Sequence, residues 1–339
     1  MHSQDSTARA QERASERCYR GPGYAWTLLL AGCAGEQSTL DPQGPVANDI
    51  AALWWMLCGG ALGILILVMA AVSYAMFRRP DRRTDLPVVP FLIGAGLVIP
   101  TVVLTALLVY TTELGRRITA PAADPLRIEI VGHRWWWEIR YPADGDLPEV
   151  LTANELWLPL GVPVEFAVAS ADVIHSFWIP SLAGKVDMIP GRTNVLRLRA
   201  DERGSFRAQC SEFCGMGHAH MGFRTTVDTQ ARFTAWRIAR AAPAAIRTGP
   251  ALALFVDRGC GECHTIAGTR ADGVGAPTLT HLAARPTLGA TAIRNTPRAL
   301  RDWLADHGRT LKPGSLGPRP RDLEAADVEA LATLLETLH

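Results

Sequence analysis

Two long stretches of this chain, Ile50–Phe77 and Leu86–Thr112, contain no charged residue, and they constrain its fold more than any other feature. A bilayer core about 30 Å thick is crossed by a helix of about 20 apolar residues, so each stretch is long enough to span it. Helices of this length in a soluble core normally show a polar face, and neither stretch has one. The sequence therefore predicts a transmembrane hairpin over residues 50–112, with helices at about 51–77 and 88–110. Arg78, Arg79, Arg82 and Arg83 lie between the two runs, whereas no Lys or Arg occurs from Gly21 to Phe77. That asymmetry places the short connection in the cytoplasm and both flanks outside, opposed weakly by Arg116 and Arg117. The chain beyond the second helix is then held at the outer face of the membrane.

Residues 1–20 are polar and basic, with Arg9, Arg13, Arg17 and Arg20. A short apolar stretch, Ala25–Ala31, leads into Leu30-Ala31-Gly32-Cys33. Basic, apolar and small residues in that order follow signal-peptide grammar, and the ending resembles a bacterial lipobox in which Cys33 is lipidated. Residues 1–33 are accordingly read as a lipoprotein-type signal segment; a chance Leu-Ala-Gly-Cys in a tail is the alternative. Lys plus Arg number 34 against 33 Asp plus Glu, so no charge excess points to nucleic acid. Cys210 and Cys214 form one cysteine pair and Cys260 and Cys263 another. Each pair is followed closely by His, which favours metal or haem chemistry over disulfides.

From Leu126 to Asp228 the pattern turns to short alternating strands, such as Ile128/Ile130 and Val164/Phe166/Val168, punctuated by Pro and Gly. Such a region predicts an all-β sandwich or Greek-key domain, here over residues 118–228. Its chemistry is concentrated in Cys210-Ser211-Glu212-Phe213-Cys214-Gly215-Met216-Gly217-His218-Ala219-His220-Met221. Two thiolates, imidazole and a thioether are soft donors that select copper, and a Met donor argues against structural zinc. A mononuclear blue-copper loop needs one Cys; the second thiolate here is enough to bridge two coppers. The remaining imidazole is expected from an earlier loop, and His175 supplies it. His220 is spare, and His133 reads as a structural or interface histidine. The Trp135-Trp136-Trp137 run can be core as well as functional, with Trp136 pointing opposite to its neighbours.

Residues 126–228, with the hairpin before them, resemble subunit 2 of cytochrome c oxidase. The resemblance rests on Gly132-His133-Arg134-Trp135-Trp136-Trp137, the segment around His175, Lys185-Val186-Asp187-Met188-Ile189-Pro190-Gly191 and the Cys210–Met221 loop. It implies a cupredoxin-like domain whose two-copper centre, CuA, uses His175, Cys210, Cys214, His218, Met221 and the backbone carbonyl of Glu212. It further implies that the Glu212 carboxylate faces a magnesium ion at the catalytic subunit and that electrons arrive through Trp135. In many relatives a Glu precedes the Pro of the second membrane helix by seven residues and serves proton uptake; here that position is Ile93.

Residues 229–248 read as a helix plus linker, broken at Ala241-Ala242-Pro243-Ala244-Ala245. Beyond it, over 249–339, Cys260-Gly261-Glu262-Cys263-His264 is the haem c attachment motif: two thiols for the vinyl groups and an imidazole for the iron. A helical stretch, Ala251–Val256, precedes the motif, and Leu323–Leu338 has the periodicity of a closing helix. This small all-α domain resembles the class I cytochrome c fused to some bacterial oxidases, through Leu279-Thr280-His281-Leu282-Ala283 and Leu311-Lys312-Pro313-Gly314-Ser315-Leu316-Gly317-Pro318. The family normally has its distal Met ligand where this chain has Gly317, and no Met occurs after Met221. His307, His281 or Lys312 as sixth ligand, or an open site, are the alternatives.

The resemblance implies an electron-input subunit of a haem–copper terminal oxidase of the bacterial plasma membrane. An external donor, soluble or membrane-bound, would reduce haem c, and electrons would pass to CuA and on to catalytic subunit 1. That partner, assembled with other oxidase subunits, would reduce dioxygen to water and translocate protons. A copper-free quinol-oxidase-type subunit, and a free-standing copper carrier or gas-sensing haem protein, are the competing readings.

Overall fold

The computed structural model describes residues 35–79, 87–306, 308–314 and 323–339. The signal-type segment with Cys33, the loop residues Arg82 and Arg83, His307 and Gly317 lie outside these. The chain adopts the expected order of two apolar helices, an all-β domain and a small helical domain.

Helix α1 runs over Pro45–Phe77, beginning before the charge-free run because Pro45 fits the first helical turn, where its missing N–H costs nothing. The second apolar helix comprises α2 (Val88–Ile93), a π turn (Gly94–Val98) and α3 (Ile99–Thr119). Pro100 cannot donate to the ladder, and the widened turn lies directly before it, with Ile93 at its edge. Large apolar side chains such as Leu67, Phe77 and Leu104 point outward along both helices, as lipid contact requires. The extension to Thr119 ends on the β-domain, where Arg197 Nη1 donates to the Thr119 carbonyl at 2.9 Å. Ahead of α1, Gln43 N donates to Ser181 O at 2.7 Å and Gln43 O accepts from Asp201 N at 2.9 Å. Both helices are thus fastened to the same domain.

That domain is built from β1 (Leu126–His133), β2 (Trp136–Tyr141), β3 (Val150–Ala153), β4 (Glu155–Pro159) and β5 (Pro163–Ser170). It continues with β6 (His175–Phe177), β7 (Val186–Met188), β8 (Asn194–Arg199), β9 (Gly204–Gln209) and β10 (Gly222–Asp228). One sheet has the order β3-β2-β1-β5-β8, a second β4-β10-β9, and β6 pairs with β7. The β1–β5 and β4–β10 pairs are parallel, the remainder antiparallel. Alternation decides what is buried: Ile128, Ile130, Val164, Phe166 and Val168 face the core, while Arg197 and Arg199 point away. Trp137 is fully buried, its ring 5.9 Å from Phe177 and 5.4 Å from Phe223, both edge-on. Trp136, on the opposite face, is half-buried and stacks on His133 at 4.2 Å.

Helix α4 (Gln230–Ala241) begins at Thr229, whose hydroxyl accepts from Arg232 N. It seals the end of the sandwich: Trp236 stacks on Trp157 at 5.4 Å and meets Tyr141 edge-on at 5.2 Å. The chain turns extended at Ala242, before Pro243, and enters the helical domain of α5 (Pro250–Asp257), α6 (Pro297–Asp306) and α7 (Ala325–Glu336). A short hairpin, β11 (Thr287–Leu288) with β12 (Ile293–Arg294), interrupts the helices. Leu252, Phe255, Ile266, Leu282, Leu300 and Leu331 form a core separate from that of the β-domain.

A buried ionic cluster joins the two domains. Glu155 Oε1 accepts from Thr152 Oγ1 at 2.9 Å and Arg240 Nε at 3.3 Å, with Arg285 Nε 3.9 Å away. Glu155 and Arg285 are both buried, so removing the carboxylate leaves guanidinium charge without a counter-ion. Glu155→Ala is expected to destabilise the chain by about 3–5 kcal/mol, read as a lowered melting temperature of the full chain in detergent.

Candidate metal centre and haem-attachment site

The antiparallel pairing of β9 with β10 places Gln209 opposite Gly222, and Cys210 N donates to Met221 O at 2.9 Å. Residues 210–221 are thereby closed into a loop whose ends belong to a sheet. Within it Cys210 Sγ and Cys214 Sγ lie 3.8 Å apart, both buried. His218 Nδ1 is 3.5 Å from Cys214 Sγ, and Met221 Sδ 3.8 Å from the same sulfur. The Glu212 carbonyl oxygen is 3.3 Å from Cys210 Sγ. From β6, His175 brings Nδ1 to 3.9 Å from Cys210 Sγ. The imidazole sought from an earlier loop is thus delivered across the fold to the same point.

The surroundings determine protonation. The Cys210 thiol is pushed down to about 3, chiefly by the hydrogen bond from Cys214, with His175 adding to it. Cys214 moves in the opposite direction, raised by the Cys210 thiolate beside it and by burial. Burial opposes charging of His175, but Cys210 and Asp172 outweigh it and hold the ring above its ordinary pKa. Asp172 Oδ1 is 2.8 Å from His175 Nε2, and Asp172 Oδ2 accepts from Arg134 N at 2.7 Å. A carboxylate on Nε2 selects the tautomer that leaves Nδ1 free to ligate. Asp172 is a neighbour of the sulfur cluster that the motifs did not reveal. Its signal in the sequence was position alone, three residues ahead of His175.

Trp135 is packed onto this loop. Its indole Nε1 donates to the Cys214 carbonyl at 3.0 Å. A Cβ at Gly217 would lie 2.5 Å from Trp135 Cε3 and 2.7 Å from Cγ, so only glycine admits the ring here. His220 is half-buried, and the Glu212 side chain is exposed. His133 lies away from the sulfurs, its Nε2 3.7 Å from Glu138 Oε2.

In the helical domain, Cys260 opens and Cys263 caps a single 3-10 turn, Cys260–Glu262, that leads into His264. His264 Nδ1 lies 2.7 Å from the Pro277 carbonyl, which requires that nitrogen to carry the proton and leaves Nε2 as a lone-pair donor. Burial holds the His264 pKa below its ordinary value, favouring the neutral, ligating ring. The residues therefore fit a covalently held haem. His281 is removed from the sixth-ligand candidates, since Nδ1 is 2.7 Å from His339 O and Nε2 2.9 Å from Ala242 O. Lys312 instead directs its amine to the carbonyls of Trp135 and Gly289.

A family model described as the periplasmic domain of cytochrome c oxidase subunit II matches residues 143–227, and a cytochrome c model matches residues 251–339. Cytochrome c oxidase subunit 2 of Alkalihalophilus pseudofirmus is 28% identical over 343 residues, 92% of this chain and 94% of that protein. Quinol oxidase subunit 2 of Bacillus cereus is 27% identical over 226 residues, 62% of this chain and 75% of that protein. Among solved structures, the periplasmic domain of cytochrome oxidase subunit II of Bradyrhizobium japonicum is 34% identical. The match covers 35% of this chain and 95% of that one, with a TM-score of 0.33.

The contact between Asp172 and His175 is open to a direct test. Asp172→Asn is expected to weaken metal retention at the thiol pair by about 10-fold or more, measured by competition with a copper chelator, with the fold unchanged by circular dichroism.

Proposed function

Because the chain belongs to the cytochrome c oxidase subunit 2 family and carries a cytochrome c domain, we propose that it is the electron-input subunit of a haem–copper terminal oxidase. His175, Cys210, Cys214, His218, Met221 and the Glu212 carbonyl hold a two-copper centre. Cys260 and Cys263 hold a haem c whose iron His264 ligates. Paired copper, when bound, supplies a one-electron carrier that cycles with little change of geometry, and haem c supplies another. The convergence of four further donor groups on two cysteine sulfurs 3.8 Å apart supports this reading best.

The remaining work falls to the chain's own groups. Asp172 orients His175, and the buried sheet ends hold the loop rigid, so a change of charge meets little reorganisation. Trp135 bridges the copper loop and the cytochrome domain. The exposed Glu212 carboxylate is suited to a magnesium ion shared with the catalytic subunit, where dioxygen is reduced and protons are translocated. The two apolar helices anchor the chain in the bacterial plasma membrane with its soluble domains on the periplasmic side. A soluble or membrane-bound carrier supplies the electrons.

A copper-free, quinol-type role is the alternative raised by the quinol oxidase relative. It leaves the convergent thiols and imidazoles without a purpose. Elemental analysis decides between them: the full chain is expected to bind two coppers, and Cys214→Ser to lose the pair while keeping the haem. Cys263→Ser is expected to lose one covalent haem linkage and keep both coppers. A chain with less than one copper, or with a Cys210–Cys214 disulfide, would contradict the proposal.

A further inference from the structure

The chain's 34 basic residues include only two lysines, Lys185 and Lys312. Lys185 is exposed, whereas Lys312 is only 5% exposed, although lysine is almost never buried without partners. Its Nζ donates to the carbonyl of Trp135, in the β-domain, and to that of Gly289 at 3.0 Å, in its own domain. Two neighbouring contacts lie along the same seam. Gly314 lies against Trp135, where an added Cβ would stand 3.3 Å from the indole Cζ3 and 2.8 Å from Met216 Cβ. Gly222 N, directly after Met221, donates to Ala290 O at 3.1 Å. The segments around Gly289 and Gly314 are thus both seated on the copper loop, and Lys312 connects them to it. Trp135 beneath is left 5% exposed.

We propose that Lys312 is a positioning residue that locks the cytochrome domain over Trp135, closing this indole to external donors so that electrons arrive only through the haem. The inference rests on the electron-input function above. A compact amine can donate to two carbonyls at once, with three N–H groups when charged and two when neutral. Burial lowers the amine's pKa to about 7, and the neutral amine remains a donor, so the bonds do not require a buried charge. The lock is made of buried hydrogen bonds rather than surface charge pairs, so it resists salt.

Lys312→Met in the assembled oxidase tests it. Both cofactors should load with unchanged absorption, while haem-to-copper transfer slows by about tenfold or more as the domain is freed from its seat. In stopped-flow mixing with a reduced soluble c-type cytochrome, wild-type haem should be reduced before copper. The variant should show copper reduced without prior reduction of the haem. A variant with both cofactors, an unchanged transfer rate and the haem-first order would overturn the lock and leave the electron-input function standing. A second measurement needs no variant and holds whatever the cofactor content. On brief acylation of the folded full chain, Lys185 should react and Lys312 should be protected until denaturation. Equal labelling of the two lysines would also overturn it.

Discussion

The closure of the 210–221 loop by β9 and β10 is the constraint on which the site depends. Two buried sulfurs 3.8 Å apart share a hydrogen bond and repel when both are ionised, which drives the Cys210 pKa down and the Cys214 pKa up. The ladder pairs Gln209 with Gly222, and the Cys210–Met221 backbone bond fixes where the loop leaves the sheet. Donors then converge because their backbone cannot relax, which suits a centre that changes charge repeatedly.

The same rigidity extends outward. Trp137, Phe177 and Phe223 form an aromatic core directly behind His175, so its ring is packed as well as hydrogen-bonded. Helix α4 covers the far end through Trp236, and Glu155 draws Arg240 and Arg285 into one buried cluster. The cytochrome domain is consequently held at two points, by ionic contacts near Glu155 and by hydrogen bonds over Trp135. An electron carrier tethered only by its linker would meet the copper loop intermittently; one seated at two points stays within range.

Much of this was legible in the residues. Charge-free length specified the two apolar helices, strand alternation specified which of Ile128, Phe166 and Arg197 would face inward, and the short spacing kept Cys260, Cys263 and His264 together at one turn. Element ends were less legible. Helix α1 starts at Pro45 because proline suits a first turn, and α3 continues to Thr119, whose carbonyl accepts from Arg197. His281 illustrates the limit: its motif position allowed an iron ligand, yet two backbone carbonyls from distant segments occupy its nitrogens.

The sequence by itself determined the kinds of donor atom, their local spacing and the membrane anchor, because each is a property of neighbours along the chain. Only the tertiary structure decided that Asp172 orients His175, that glycine at 217 admits Trp135, and that Lys312 is buried between domains. Those relations join segments up to 177 residues apart. No local pattern encodes which carbonyl a buried amine will meet; the packing of one domain on another does.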